Sequence, residues 1–309
     1  MIKNIIVGKL YDETRIDRWL KRKYSSLNQS FIEKQLRKGI IKVNNNKIKA
    51  NYMVLKGDKI SIYGYLKTNY SNKPQKISNK RFPKEILKEF KSSILFENSD
   101  FFILNKWTGI STQGESKILI SIDDIIKYFS INYNLVHRLD KETSGLLIIA
   151  KNFKATKLFG NLFKEQKIKK IYIALCHGIP KNKDSVVKLG IENKEKNIKK
   201  TETITQYKNI QIQDKISLNL LAPITGKKHQ LRIIAKYLNC PIIGDNKYSI
   251  NHKFKLEKLK LNACYLKFNF KEKDYTFKSI LPLHFITFLK KHNFNITLTK
   301  HLESLSKFI

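Results

Sequence analysis

The sequence predicts an α+β protein with a small first domain, residues 1–64, and a larger second domain, residues 91–309. Beyond residue 91 the strand-like and helix-like patterns do not alternate regularly, which favours a mixed, mostly antiparallel sheet with flanking helices over a doubly wound fold. A polar, basic stretch with two prolines interrupts the patterns at residues 65–90 and is interpreted as a linker. The 309 residues, 41% of them hydrophobic, are sufficient for two packed cores.

Residues 1–64 are predicted to form a compact module of helices and short strands. The segment RIDRWLKRKY carries three apolar residues at helical spacing. A second helix is predicted from Ser30, where Glu33 would complete a capping box, to Gly39. Strands are predicted at IIKV and KISIY, each beside a turn rich in Asn, Gly or Asp.

The second domain shows a longer series of elements. Two apolar runs around ENSD predict a hairpin, LLIIAK a buried strand, and KKIYIALCHG and SLNLLAPIT two further strands; others are expected near 261–270 and 275–281. SIDDIIKYFS, KATKLFGNLFKEQ and HQLRIIAKYL predict helices. The charged stretch 181–200 predicts a hairpin with an exposed tip. The helix KATKLFGNLFKEQ is expected to bury one face, formed by Leu158, Phe159, Leu162 and Phe163.

The charge balance indicates a polyanionic partner. Lys and Arg total 61 against 25 Asp and Glu, which gives a formal net charge of +36. Nucleic acid is the usual partner of such a surface, and its binding would depend strongly on salt. Mutational drift in an AT-rich genome, which inflates Lys without any partner, is the alternative explanation.

The cysteines and the apolar windows suggest a cytoplasmic protein with no structural metal. The three cysteines are far apart and form no CxxC or Cys/His cluster, so a zinc site is not expected. Cys176 and Cys264 lie in apolar alternating runs and are interpreted as small core residues. No window approaches the ~18–20 apolar residues of a membrane span, and the N-terminus does not resemble a signal peptide.

The densest group of reactive side chains lies in the loop HRLDKETSG, residues 137–145, just before the strand LLIIA. Loops anchored on sheet elements often carry catalytic residues. Asp140, flanked by Arg138 and Lys141, is expected to be ionised and available as a nucleophile. By spacing alone, a solvated turn in which Asp140 caps a backbone N–H is the better explanation, because polar loops are common and enzyme sites are few.

Four segments in order resemble the RluA-type pseudouridine synthases. VHRLDKETSGLLIIAK is similar to the family signature H-R-L-D-x-x-T-S-G-L. KKIYIALCHG, PITGKKHQLRIIAKYLNCPIIGDNKYS and LNACYLKF resemble three later family segments, and together the four span about residues 95–285. The sequence departs from the family pattern at Trp107, Lys227, Lys228, Ile234 and Asn262.

The first domain is similar to the alpha-L (S-four type) RNA-binding module. The resemblance rests on RIDRWLKRKY, LRKGIIKVNNNKIK and LKGDKISIY, and it implies that helices and a turn present basic groups to RNA phosphates. The segment TQGES (112–116) and the order TSGLL most resemble the C subtype of those family members that modify the large ribosomal subunit. The basic groups expected at RNA are Arg15, Lys34, Arg37 and Lys38.

The resemblance implies an isomerase that converts uridine to pseudouridine in large-subunit ribosomal RNA, without a cofactor or metal and without an obligate protein partner, as a monomer. It implies that Asp140 is the nucleophile, that Arg232 pairs with it and that Tyr172 stacks on the flipped base. Read without the resemblance, Tyr172 is an ordinary strand aromatic. Further RNA contacts are expected from His137, Arg138, Lys141, Thr143, His229 and Gln230.

Three other functions are compatible with parts of this pattern. A non-catalytic RNA-binding or ribosome-assembly protein would have the same basic surface. The same chemistry could act on transfer RNA or on another ribosomal site. A base-releasing glycosidase would also use a carboxylate, but it would release free uracil.

Overall fold

A computed structural model describes residues 2–24, 26–64, 70, 81–114, 120–193, 198–249 and 254–294. The chain divides into two compact units, Met1–Asn79 and Lys80–Ile309. Both units combine helices with sheets, and the sheets are mixed but mostly antiparallel, so the predicted α+β class is confirmed. Among the described helices, none has the length and apolar character needed to cross a membrane.

The first unit packs two helices and small sheets around one core. A four-stranded antiparallel sheet has the order β1-β6-β3-β4, and β2 pairs with β5. The apolar stripes of both helices are buried in the core, as their spacing predicts, through Trp19, Leu20, Ile32 and Leu36. The elements are β1 (Ile2–Ile6), a short 3-10 helix (Lys9–Tyr11), β2 (Thr14–Arg15), α1 (Ile16–Lys23), α2 (Gln29–Lys38), β3 (Ile41–Val43), β4 (Asn46–Lys47), β5 (Met53–Val54) and β6 (Lys59–Tyr63).

The start of α2 differs from the prediction. The helix begins at Gln29, and the side chain of Asn28 accepts a hydrogen bond from the backbone N–H of Phe31 at 2.8 Å. Ser30 therefore lies inside the helix, and Glu33 accepts from Gln29 rather than closing a capping box. Asn is as good an N-cap as Ser, so local sequence could not rank the two. The predicted end is confirmed, because Gly39 has a φ of 71° in the left-handed region.

The second unit is built on one large sheet with helices against it. The strand order is β12-β13-β14-β11-β15-β10-β8-β7, with β16 beside β15 and β9 beside β10. Among the described strands, β10 and β15 form the one parallel pair. The elements are α3 (Lys84–Ser92), β7 (Ile94–Glu97), β8 (Phe101–Lys106), α4 (Ile122–Phe129), β9 (Asn134–Leu135), β10 (Ser144–Ala150), α5 (Phe153–Lys164), β11 (Lys169–His177), β12 (Asp184–Asn193), β13 (Ile198–Gln213), β14 (Ile216–Pro223), α6 (Gln230–Tyr237), β15 (Leu261–Phe270), β16 (Lys273–Lys278) and α7 (Leu283–Lys291).

The central strand β11 shows how the sheet is covered on both faces. Ile171, Ile173 and Leu175 belong to one hydrophobic cluster, whereas Ala174 and Cys176 belong to another. Alternate residues of a strand point to opposite faces, so the strand separates two cores. The prediction that Cys176 and Cys264 are small core residues is confirmed, because both are buried free thiols.

Several details differ from the sequence predictions. Helix α3 begins at Lys84, inside the stretch interpreted as a linker, and buries Phe90. On α5, Phe159 is fully buried with Ala155, but Leu158 is 39% exposed because one helical step turns it away from that face. Strands β12 and β13 form the predicted hairpin, although its tip at 194–197 lies outside the described residues. The last two residues of TQGES, 115 and 116, also lie outside them.

Candidate active site

A cavity of about 340 Å³ lies where the loop before β10, the start of β11 and the turn between β14 and α6 meet. A second cavity of about 260 Å³ also has Asp140 and Arg232 in its wall. The three residues predicted to be catalytic come from separate stretches of chain and all line the first cavity. Its wall also contains His137, Arg138, Thr143, Phe163, Lys170, Thr225, Gly226, Lys227, Lys228, His229 and Gln230.

The loop that carries Asp140 is held on both sides by the segment after β8. The Thr112 hydroxyl donates to the Leu139 carbonyl at 2.6 Å and accepts from the Leu139 N–H at 3.1 Å. The Gly109 N–H donates to the carbonyl of Lys141 at 3.0 Å. Because the backbone is fixed on either side of Asp140, its carboxylate is positioned before any substrate arrives.

Lys106 secures the same loop from within the core. Its side chain is buried, and Nζ donates to the carbonyl oxygens of Trp107 at 3.1 Å, Ile110 at 2.9 Å and Lys141 at 3.1 Å. Burial lowers the pKa of Lys106 to about 7, although the charges of Glu142 and Asp140 oppose that shift. Sequence reasoning missed this residue, because a lysine at the end of an apolar strand gives no sign of burial.

Gly145 allows β10 to approach β15 closely at the base of the site. Its φ is 106°, and a Cβ at this position would lie 2.4 Å from the carbonyl oxygen of Ala263. Beside it, the Asn262 amide donates to the Ser144 hydroxyl at 2.9 Å and accepts from the Ser279 hydroxyl at 2.6 Å. Asn262, a departure from the family pattern, therefore uses both the oxygen and the nitrogen of its amide in a buried network.

Arg232 has a different principal partner from the one predicted. Its Nε and Nη2 atoms donate to the two carboxylate oxygens of Asp245 at 2.8 and 2.7 Å, whereas Nη1 lies 3.9 Å from Oδ2 of Asp140. Asp245 is buried and also accepts from the N–H groups of Lys247 and Tyr248, each at 3.0 Å. The predicted Arg232–Asp140 pair is therefore within ion-pair distance, and Asp245, which was not predicted, makes the closer contacts that hold the guanidinium.

Opposite charge keeps this pair ionised in spite of its burial. Burial opposes the charge on both groups, but the hydrogen bonds and the mutual attraction are stronger, so the pKa of Asp245 is lowered and that of Arg232 is raised. The Arg232 guanidinium also lies 5.1 Å from the Tyr248 ring centroid. Asp245 and Tyr248 both lie in the segment GDNKYS, but the sequence alone does not show that they contact Arg232.

His229 approaches Asp140 from the N-cap position, just before α6 begins. Its Nε2 lies 3.9 Å from Oδ1 of Asp140, and Nδ1 shares a 2.9 Å hydrogen bond with the Tyr248 hydroxyl. Burial lowers the pKa of His229, and the nearby cations lower it further, although the charge of Asp140 opposes them. The imidazole is therefore neutral near pH 7.

Tyr172 reaches the cavity from β11, where its backbone is paired with Leu221 on one side and Ala263 on the other. Burial raises the pKa of Tyr172, and the charge of Asp140 raises it further. The phenol is therefore protonated at neutral pH.

Three of the residues predicted to contact RNA form contacts with other residues of the protein. His137 accepts from the Ile148 N–H through Nε2 at 2.8 Å and stacks on Phe163, and burial lowers its pKa to about 3. Thr143 is buried and closes the loop through its N–H to the Asp140 carbonyl. Gln230 uses both ends of its amide: the oxygen accepts from Thr225 and Lys227, and the nitrogen donates to Ile204 and Thr205. This geometry gives all three a positioning role.

The other expected RNA contacts are accessible. Arg138 and Lys141 are exposed on either side of Asp140. In the first unit, Lys34, Arg37 and Lys38 are exposed on α2 at a spacing that puts them on one face. Arg15 is partly exposed and forms a bidentate ion pair with the buried Asp17.

Comparisons with known proteins agree with this architecture. The RNA pseudouridylate synthase family profile matches residues 100–237, and the S4 domain profile matches residues 14–60. Two solved structures share the fold: human RNA pseudouridylate synthase domain containing 4, with a TM-score of 0.60 at 24% identity, and domain containing 1, with 0.57 at 22%. Each match covers 69% of this chain, and 97% and 94% of the two human chains respectively.

Curated relatives are similar over most of their length and carry the name ribosomal large subunit pseudouridine synthase C. The protein of Rickettsia bellii is 38% identical, over 76% of this chain and 82% of its own. The one from Rickettsia typhi is 36% identical, over 88% and 95%, and that of Buchnera aphidicola subsp. Baizongia pistaciae is 33% identical, over 87% and 93%. The chain therefore belongs to the RluA-type RNA pseudouridylate synthase family, whose members are isomerases, and it carries an S4 RNA-binding domain in front of the synthase domain.

Proposed function

We propose that this protein isomerises specific uridines to pseudouridine in large-subunit ribosomal RNA, with Asp140 as the nucleophile. The observation that carries the proposal is the convergence of Asp140, Tyr172 and Arg232 on one cavity. The relatives named above act, by name, on the large ribosomal subunit, which supports that RNA as the substrate. The net charge of +36 is suited to a large, structured polyanion.

The carboxylate of Asp140 is suited to attack on the target nucleotide. The N-glycosidic bond from N1 to C1′ breaks, the uracil turns, and its C5 bonds to the ribose C1′. C5 then loses its proton and N1 gains one, so nothing is oxidised, reduced or hydrolysed overall. A carboxylate that forms covalent intermediates divides one difficult step into easier ones. The fixed loop around Asp140 supports this role, since it holds the nucleophile before binding.

Arg232 and Tyr172 would complete the reaction centre. Arg232 is held by Asp245 and lies 3.9 Å from Asp140, which suits it to orient the nucleophile. Tyr172, as a neutral phenol, would stack on the flipped base. Extruding a base costs a few kcal/mol, and the exposed guanidinium of Arg138 is suited to fill the vacated stack.

The S4 domain would anchor the RNA away from the chemistry. The exposed cations of α2, together with Arg15, are suited to bind phosphates and carry no sequence information themselves. The three cysteines are free thiols, which is compatible with the reducing cytoplasm where ribosomal RNA is processed. We propose that the protein acts there as a monomer.

Pseudouridine mapping tests the proposal directly. Pseudouridines in ribosomal RNA are compared between cells with the gene, cells without it, and cells complemented by Asp140→Asn. We expect defined sites in the large-subunit RNA to lose pseudouridine without the gene and to stay unmodified with the variant. Identical maps in all three strains, or losses confined to transfer RNA, would contradict the proposal. Release of free uracil by the purified protein would identify a glycosidase instead.

A further inference from the structure

Lys170 is a charged residue in the cavity wall that the chemistry above does not use. It lies on β11, two residues before Tyr172, and its Nζ is 5.8 Å from the centroid of the Phe163 ring. Burial lowers the pKa of its ammonium. A lysine at this depth carries a desolvation cost that its surroundings must offset.

The protein supplies only part of that compensation, through the ring of Phe163. The Lys170 side chain makes no ion pair and no hydrogen bond with any residue that the structure describes. Asp140 is the one carboxylate in the cavity wall, and its charge acts on Lys106, Tyr172, His229 and Arg232 rather than on Lys170. Lys170 is half-buried, and a charge held partly away from water is normally paired.

Lys170 lies on the same side of β11 as Tyr172, the side that faces the cavity. Residues two apart on a strand point to the same face, and both Lys170 and Tyr172 line the cavity while Ile171 is buried in the core behind the sheet. Their Cα atoms are therefore about 7 Å apart along the strand. If Tyr172 stacks on the flipped base, Lys170 lies within one nucleotide of it.

We infer that Lys170 binds a phosphate of the RNA backbone directly adjacent to the target uridine, and that this contact completes an ion pair the protein alone leaves open. The inference rests on the proposed function, since it takes RNA as the ligand. The phosphodiester is the one anion that every RNA substrate brings into this cavity. The other cations of the wall, Arg138, Lys227, Lys228 and Arg232, make the cavity strongly positive and favour an anionic ligand.

A charge-removal series tests this inference. The substrate is a transcript of the large-subunit RNA segment that contains a mapped target uridine, and full-length Lys170→Met is compared with wild type. Removing one charge-assisted contact should raise KM roughly 10- to 100-fold and leave kcat nearly unchanged. The slope of log affinity against log salt should decrease by about 0.7–0.9, the value of one phosphate.

Two variants serve as controls. Lys169→Met removes the same charge from the neighbouring residue, which does not line the cavity, and should change KM and the salt slope little. Lys170→Arg keeps the charge and should recover most of the loss. If Lys170→Met does not fold, as judged by circular dichroism and thermal unfolding, Lys170→Gln replaces it.

Synthetic RNAs with one uncharged methylphosphonate linkage, placed 5′ or 3′ to the target uridine, identify the phosphate. One of the two should weaken wild type and leave Lys170→Met unaffected. The inference is overturned if both linkages weaken the two proteins equally, or if a folded Lys170→Met binds RNA with unchanged affinity and salt slope. A wild-type protein that forms no pseudouridine refutes the proposed function instead, and the salt slopes still decide whether Lys170 binds phosphate.

Discussion

Two bidentate arginine–aspartate pairs, one in each unit, share their local geometry and differ in their surroundings. Arg15 contacts Asp17 at 3.1 and 2.6 Å, and Arg232 contacts Asp245 at 2.8 and 2.7 Å. In both pairs the aspartate side chain is buried. The exposed fraction of the arginine side chain is 40% for Arg15 and 11% for Arg232.

The difference shows how one interaction can serve two purposes. The Arg15 pair lies at the surface of the S4 domain, so the pair orients a guanidinium that RNA can approach. The Arg232 pair lies inside the synthase domain, and its third nitrogen, Nη1, lies 3.9 Å from a second carboxylate, Asp140. An anchored guanidinium is thus exposed to solvent in one unit, where we propose that it binds RNA phosphate, and faces the proposed nucleophile in the other.

The largest expected effect comes from Asp140→Asn, which removes the second carboxylate and nothing else. The amide is nearly isosteric but a poor nucleophile, so pseudouridine formation should fall roughly 10⁴-fold or more. Single-turnover assays on ribosomal RNA measure the loss, and an unchanged melting temperature is the control for folding. An active variant would mean that Asp140 is not the nucleophile and that Arg232 does not act by orienting it.

Arg232→Ala should have the next largest effect. Turnover should fall about 100-fold because Asp140 loses its orienting cation, while RNA affinity changes far less. The free energy of unfolding should also fall by about 3–5 kcal/mol, since Asp245 is left buried without its partner. Kinetics and urea unfolding are measured together, with Arg232→Lys as the variant that keeps charge but not the bidentate contact. A loss confined to affinity would contradict the proposed role.

Arg15→Ala is the matched change in the S4 domain, and its effect should be smaller. The Arg15 side chain is 40% exposed, against 11% for Arg232, so solvent weakens this ion pair and the loss of stability should be about 1 kcal/mol. RNA affinity should fall about 3- to 10-fold, with kcat unchanged. Filter binding at two salt concentrations and single-turnover rates separate the two quantities. A large drop in the single-turnover rate would show that the Arg15–Asp17 pair, like the Arg232–Asp245 pair, supports the chemical step.

The smallest expected effect is on how strongly the stability of the protein depends on pH in acid. Burial opposes ionisation of Asp17 and Asp245, yet their arginine partners and other hydrogen bonds lower both folded pKa values. A lowered folded pKa contributes stability above the unfolded value of about 3.9, and that stability is lost as pH falls through the folded pKa. Urea midpoints from pH 6 to pH 3 should fall more steeply for wild type than for Asp17→Asn or Asp245→Asn. Parallel profiles would contradict this.

Much of the candidate site follows from local sequence. Apolar alternation and helical spacing identified β10, β11 and α6, and the resemblance of these segments to the family pattern identified Asp140, Tyr172 and Arg232. The sequence analysis missed residues whose role depends on the residues that surround them in the fold. These are Lys106 beneath the loop, Lys170 in the cavity wall, and Asp245 and Tyr248, which contact Arg232. A lysine or an aspartate has the same local signature whether it is solvated or buried and paired.

The amino-acid sequence by itself determined the two-domain α+β organisation, the positions of most elements and the three residues proposed for the chemistry. Tertiary structure decided which groups meet. β11 lies between β14 and β15, and β15 lies beside β10, so loops far apart in the chain share one cavity. Periodicity records which face of an element is buried, but the partner of Arg232 is fixed by distances between elements, which no local pattern contains.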